Sequence, residues 1–269
     1  MATTFWIVIP VLAVLLVSVA VVWPGARSAR QQQGSRIRHV IGVPLTIVVV
    51  LVVAACGRAP SQKTVHRLAD SPEATRARQQ AELASRDVIA AWDADTPLSL
   101  GLVVLQDVCT GGKAKEWFFS NGDDRYKIRC EMYVTAYFGA DPRSVADTLD
   151  GVLTAGDRAD SPIPFNHDFH YARMVVDYYR GNTGDPQGPG TGEPTHLSNA
   201  GSVTFSWDQV RSGDTRELIE EPNLVAHHDP PMKRLLLEPA STSVADLRRE
   251  HGMVFKITMA VNNYFTVRK

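Results

Sequence analysis

Apolar and polar residues alternate without a break from Tyr126 to Phe138. Every even position in this segment is apolar or cysteine, whereas the odd positions are mostly charged or hydroxyl-bearing. A period of two indicates a β-strand with one buried face and one face in contact with solvent. The pattern therefore predicts that Cys130 points into the core, while Tyr133 and Tyr137 lie on the solvent face.

Shorter segments with strand character precede and follow it. Met253 to Val267 repeats the alternation, and Asn121-Gly122 favours a hairpin turn between residues 116–119 and 125–127 because both residues tolerate positive φ. The remaining predicted strands are residues 97–108, 171–179, 203–207 and 233–237.

Three segments carry helix signals. Ser71-Pro72-Glu73 is a typical helix start, and we expect this helix to run to Trp92 as a stalk, polar in its first half, that docks at its C-terminal end. A second helix is predicted from Asp141-Pro142 to Gly156, and a third from Ser243, with Asp246 completing a variant capping box, to Gly252. Residues 181–201 and 214–231 are predicted to be irregular, since the first is rich in glycine and proline and the second is acidic and interrupted by proline.

This order of elements predicts an α+β fold. We expect an antiparallel or mixed sheet with helices on one face, and more specifically a split β-α-β arrangement like the ferredoxin-like fold. The expected divisions are a membrane or signal region at 1–56, a tether and stalk helix at 57–95, and an α+β domain at 96–269.

The N-terminal region is apolar in two places, residues 5–23 and 40–55. The second follows Arg36, Arg38 and His39 and ends in Val53-Ala54-Ala55-Cys56. Sixteen residues span only about 24 Å as a helix, less than the ~30 Å bilayer core, and this favours a cleaved export signal. The tetrapeptide resembles the bacterial lipobox, which implies that Cys56 carries the lipid and becomes the mature N-terminus.

The first apolar segment leaves two alternatives for the membrane region. The true start may be a valine such as Val21 or Val22, or both segments may insert as a helical hairpin whose arginine-rich loop stays in the cytoplasm. Cys56 could also be an ordinary small residue of a membrane helix. All of these readings place the folded domain outside the cell membrane.

Charge and cysteine content are consistent with that location. The 213 residues after Cys56 contain 24 basic and 29 acidic side chains, a net charge of −5, which argues against a nucleic-acid partner. Cys109 and Cys130 form an even pair once Cys56 is lipidated. In an oxidising compartment we expect a disulfide between them, the alternative being two buried free thiols.

The best candidates for metal chemistry are loop histidines. His167 and His170 form an H-x-x-H pair, and His227 and His228 are adjacent; imidazole and carboxylate groups suit zinc. Solvated loop histidines are the alternative reading. The chain has no H-E-x-x-H, G-x-S-x-G, C-x-x-C or phosphate-loop motif, so we expect no cofactor.

These observations favour a binding protein over an enzyme. Tyr133 and Tyr137 are the candidate binding residues, since aromatic side chains are enriched at interfaces, although a covering helix would account for them equally well. The expected partners are the membrane and an envelope protein or cell-wall component. Two alternatives are a metal-assisted hydrolase that uses the loop histidines and a bitopic component of a secretion or conjugation apparatus.

Overall fold

A computed structural model of the chain describes residues 59–114, 122–182, 192–199, 203–210, 216–223 and 232–269. These residues belong to the compact unit Cys56–Lys269. Cys56 and both N-terminal apolar segments lie outside the described residues. Within the described ranges, no helix combines the length and apolar character that crossing a bilayer requires.

The described part of the chain contains five α-helices and six strands. The helices are α1 (Gln62–Ala69), α2 (Pro72–Asp95), α3 (Val145–Gly156), α4 (Ala172–Arg180) and α5 (Val244–His251). The strands are β1 (Ser99–Gly111), β2 (Tyr126–Ala140), β3 (His196–Asn199), β4 (Val203–Trp207), β5 (Met232–Glu238) and β6 (Met253–Arg268).

The six strands form one sheet in the order β3-β4-β6-β2-β1-β5, and every described pairing is antiparallel. The α+β class and the antiparallel sheet are therefore confirmed. The strand order contains one split β-α-β unit. β2 and β4 both pair antiparallel with β6, which lies between them, so they are parallel to each other, and the chain runs from β2 to β4 through α3, α4 and the edge strand β3. The second unit of a ferredoxin-like arrangement is not formed, because β5 and β6, which are joined through α5, run in opposite directions with β1 and β2 between them.

β2 is the central strand and follows the alternation seen in the sequence. Val134, Ala136 and Phe138 are fully buried on one face. Their neighbours across β1 and β6 stay in register over most of the strand's length. A central strand that is paired on both sides and apolar at every second position fixes the register of the whole sheet.

Helices lie on both faces of this sheet, which corrects the expectation that they would lie on one. α2, α3 and α4 cover the first face, where Trp92, Phe165 and Phe205 form an aromatic cluster in the main core. α5 packs on the opposite face through Val244 and Leu247. The two cores share the sheet because β1 and β2 send apolar side chains to both sides.

Residues 171–179 form a helix rather than the predicted strand. The buried positions of α4 are Ala172, Val175, Val176 and Tyr179, which have the i, i+3, i+4, i+7 spacing of a helix. The valines and tyrosines favour a strand by composition, and that composition concealed the helical spacing. Helical burial against the core decided the outcome.

The predicted stalk is part of the folded core. Besides Ile89 and Trp92, α2 buries Ala74, Ala81 and Ser85 along its length, so it packs on the sheet from end to end. The small side chains made this face look polar in the sequence. α1, capped by Ser61, occupies part of the expected tether, and β3 lies inside the segment predicted to be irregular.

Several local predictions are confirmed. α3 begins after a short 3₁₀ turn at Pro142–Ser144, α5 has the predicted capping box, and β6 has the predicted extent to within one residue. Gly122 has a φ of 80°, as the predicted turn requires, whereas Asn121 and residues 116–119 lie outside the described residues. Residues 216–223 form no helix or strand.

The predicted disulfide between Cys109 and Cys130 is present. The two residues face each other directly across β1 and β2. Both are fully buried, and Val65 and Ala69 of α1 pack against them. The bond therefore links the two central strands beneath the first helix.

Candidate functional site

The described residues cover only part of one face of the sheet, and the part that they leave uncovered is the candidate site. Leu235, Gln106, Tyr133 and Ala260 are direct neighbours across β5, β1, β2 and β6. Paired residues on adjacent strands point to the same side of a sheet, so these four side chains form a row across it. We call this row and its surroundings the open sheet face.

The row combines apolar and polar groups at the surface. Tyr133 exposes 39% of its surface and Leu235 exposes 37%. The Tyr133 hydroxyl donates a hydrogen bond to Glu131 at 2.8 Å, and Glu131 lies 3.1 Å from the Arg129 guanidinium. The bond to Glu131 raises the pKa of Tyr133, and partial burial raises it further. The tyrosine ring is thus held in place while its face remains exposed.

At the other end of the same face, α5 and residues 216–223 cover the sheet, and we call these two segments the border. Arg248 of α5 donates two hydrogen bonds to buried Asp208, at 2.8 and 2.9 Å. The Asp208 carboxylate also accepts bonds from the backbone N–H groups of Ile219 and Val254. Glu221 accepts bonds from the first two N–H groups of α5. This network fixes residues 216–223 and α5 over Leu102, Val104 and Tyr137.

Tyr137 lies beneath that border. It exposes only 3% of its surface and packs with Val244 and Val254. Burial, aided by the negative charge of Glu221, raises the pKa of Tyr137 to about 12. The two candidate tyrosines therefore have different environments: Tyr133 is available to a partner, whereas Tyr137 is part of the core that supports the face.

A groove of about 500 Å³ lies at the border, lined by Arg216, Glu217, Leu218, Ile219, Glu220 and Lys256. Lys256 follows the alternation of β6 and lies on the same side of the sheet as Ala260. Among the described residues that line this groove, none is a histidine, a cysteine or a hydroxyl-bearing residue. Such a lining can make ion pairs and apolar contacts.

Two of the four candidate metal-binding histidines, His167 and His170, lie in the described part of the chain. His167 lies between two carboxylates, with Nδ1 2.6 Å from Asp157 and Nε2 3.2 Å from Asp150. His170 is exposed and its ring lies against Tyr171, with centroids 3.8 Å apart. His227 and His228 lie outside the described residues. Within the described ranges, no group of three potential ligands could hold a metal ion.

The geometry gives His167 a structural role. Both ring nitrogens are engaged, and the His167 backbone N–H donates to Asp157 as well, at 3.0 Å. The hydrogen bond to Asp157, followed by the bond to Asp150, raises the pKa of His167. A doubly protonated ring can donate to both carboxylates at once. His167 thus ties the loop that precedes α4 to the end of α3.

A buried ionic cluster, which no sequence pattern predicted, lies under the first face of the sheet. Asp107 of β1 is 2% exposed and bonds to Arg78 of α2 and to the hydroxyl of Tyr264 on β6. Burial lowers the pKa of Arg78, but Asp107 more than offsets this and raises it. Burial, with the bond to Asp107, raises the pKa of Tyr264. Arg78 also donates to the Ala69 carbonyl, so one cluster joins α1, α2, β1 and β6.

No protein-family model, curated protein sequence or solved structure matches this chain. The arguments for function therefore rest on the residues themselves.

Replacement of Asp107 by alanine should lower the free energy of unfolding by about 3 kcal/mol, because it leaves the Arg78 charge buried without its partner. The control replaces all three members with apolar residues, as Arg78→Met, Asp107→Leu and Tyr264→Phe. This variant should lose less stability than the single one. Urea unfolding of the detergent-solubilised chain measures both. A single variant as stable as wild type would contradict the role of the cluster.

The His167 contacts should make stability depend on pH. Since the folded pKa of His167 is raised, its contribution is complete below the unfolded value near 6.5 and disappears as the pH rises through the folded value. The Asp157 contribution disappears only when the pH falls through its lowered pKa. His167→Gln should therefore be destabilised most at mildly acidic pH and least at alkaline pH, as thermal unfolding can measure. Asp157→Asn should lower the NMR-measured pKa of His167, and an unchanged value would contradict the assignment.

Proposed function

We propose that this chain is a membrane-anchored, lipidated extracytoplasmic protein whose domain binds an envelope component or a protein partner through the open sheet face. The observation that carries the proposal is the row formed by Leu235, Gln106, Tyr133 and Ala260. Half-exposed aromatic and aliphatic side chains on a rigid backbone are the usual anchors of a protein interface, because they add contact area at low entropic cost.

Two features support the compartment, and a third bears on the kind of partner. The lipobox-like end of residues 40–56 provides the lipid attachment point, Cys56. The Cys109–Cys130 disulfide is typical of proteins that fold in an oxidising environment. The net charge of −5 after Cys56 suits a protein partner better than a nucleic acid.

A binding role fits the site better than catalysis. On the open sheet face the Tyr133 hydroxyl is bonded to Glu131, and this bond raises the pKa of Tyr133, which opposes formation of the phenolate that a tyrosine nucleophile requires. Among the described residues, the buried carboxylates of Asp107 and Asp208 accept hydrogen bonds that hold elements together. These hydrogen bonds stabilise the fold on which the open sheet face lies.

Site-specific photo-crosslinking in living cells tests the proposal. A photoreactive phenylalanine analogue at position 133 of the full chain should give a discrete adduct with an envelope component. The matched control places the same analogue at Leu83, which is more exposed than Tyr133 but lies on α2. Position 83 should give no such adduct.

A second substitution identifies the surface. Leu235→Glu places a charge two strands away from Tyr133 in the same row and should abolish the adduct at position 133. If positions 133 and 83 give the same adducts, or if Leu235→Glu changes nothing, the open sheet face is not the binding surface.

A further inference from the structure

The end of the domain at which the described chain begins carries a cluster of basic side chains. The topology brings the end of β1, the start of β2 and the end of β6 together, since Gly111 faces Ile128 and Tyr126 faces Arg268. The exposed basic residues at this end, which we call the basic rim, are Lys63, Lys113, Arg125, Lys127, Arg268 and Lys269.

Hydrogen bonds hold the rim in a defined arrangement. The Lys269 ammonium donates to the Lys113 carbonyl at 2.6 Å, and the Lys269 backbone N–H donates to the Arg125 carbonyl at 3.1 Å. The Gly112 N–H donates to the Lys127 carbonyl at 3.2 Å. Three chain segments are thereby joined, so their charges are held close together.

The sign of this charge is opposite to that of the domain as a whole. The residues after Cys56 have a net charge of −5, yet six basic groups gather at this end. Two acidic residues, Asp123 and Asp124, lie nearby. Asp123 lies 3.6 Å from Lys113 and 3.8 Å from Arg129. When both aspartates are set against the six basic groups, an excess of four positive charges remains at this end. The rim is thus a local basic surface on an acidic protein.

The start of the folded unit lies at the same end. Pro60 and Val65 pack against Gly111 so closely that a Cβ at that glycine would lie 3.4 Å from Pro60 and 2.9 Å from Val65. Only four residues, Gly57 to Pro60, follow Cys56 up to this contact. Fully extended, they reach about 14 Å. A lipid on Cys56 would therefore keep this end of the domain close to the headgroups.

A groove of about 270 Å³ opens between these elements. Pro60, Thr64, Lys127 and Lys269 line it. It offers a hydroxyl group and two ammonium groups, and the Lys269 ammonium has donors left after its bond to Lys113. This is a suitable environment for a phosphate group, since ammonium groups bind phosphate as point charges.

We propose that the basic rim binds the anionic phospholipid headgroups of the membrane to which Cys56 is attached, and so fixes the orientation of the domain with the opposite end of the sheet directed away from the bilayer. This inference rests on the proposed lipid anchor. Electrostatic attraction acts over about 10 Å at moderate salt, and a tether that reaches at most about 14 Å allows the rim to approach the headgroups within that distance. Without the rim, the acidic domain would be repelled by an anionic surface.

The test uses the full lipidated chain in vesicles of phosphatidylcholine alone or of an equimolar mixture with phosphatidylglycerol. Trace acetylation followed by mass spectrometry reports the accessibility of each lysine. Lys63, Lys113 and Lys127 should react several-fold more slowly in the mixed vesicles, and raised salt should remove this protection. Lys256 is the internal control, since it lies on β6 near the end opposite to Arg268 and should react equally in both.

Charge-reversal variants test the cause. Lys63→Glu with Lys127→Glu should remove the protection of Lys113, whereas Lys256→Glu should leave it intact. Equal protection in the two vesicle types would overturn the proposal, and so would equal protection by inorganic phosphate added to neutral vesicles, which would indicate a free phosphate ligand.

Anchoring is measured separately by alkaline carbonate extraction of the same vesicles. A chain that stays in the vesicles without protection of the rim contradicts the inference alone. A chain that is extracted contradicts the proposed anchor, and the inference with it.

Discussion

The pairing of β1 with β2 is the constraint on which the rest of the molecule depends. Their alternating side chains direct one apolar set toward α2, α3 and α4 and a second set toward α5. Cys109 and Cys130 link the two strands covalently, and Asp107 connects them to α1, α2 and β6 through Arg78 and Tyr264. Because register fixes which face each side chain occupies, a shift by one residue would exchange the core for the surface.

The same alternation leaves part of one face uncovered. α5 and residues 216–223 cover Tyr137 and its neighbours, and the network of Asp208, Arg248 and Glu221 stops them from moving along the sheet. Tyr133 and Leu235 remain at the surface. Their strands are held in place because the opposite face of the sheet packs against the main core. A preorganised surface of this kind loses little conformational entropy on binding, so the fold suits the proposed binding role.

How far the sequence predicted this structure depends on how locally each element is determined. β2, β6 and the capping box of α5 follow from short-range patterns, and the disulfide follows from Cys109 and Cys130 as an even pair. The helix α4 was missed because Val175, Val176 and the tyrosines favour a strand until they pack on a core. The docking of α2 could not be predicted because Ala74 and Ala81, two of the residues that it buries, have small side chains that do not form a clear apolar pattern in the sequence. The row that contains Tyr133 can be predicted only once the strand order is known, and no local sequence pattern encodes the strand order.

We propose that the folded domain resides outside the membrane, attached through Cys56, with Cys109 and Cys130 oxidised to a disulfide. The intact mass of the protein extracted from native membranes without reductant tests this most directly. We predict the mass of a chain that begins at Cys56, carries acyl chains, and lacks the two hydrogen atoms of a closed disulfide. A chain that begins at Met1, carries no lipid and has both thiols free would contradict the anchor and the compartment together.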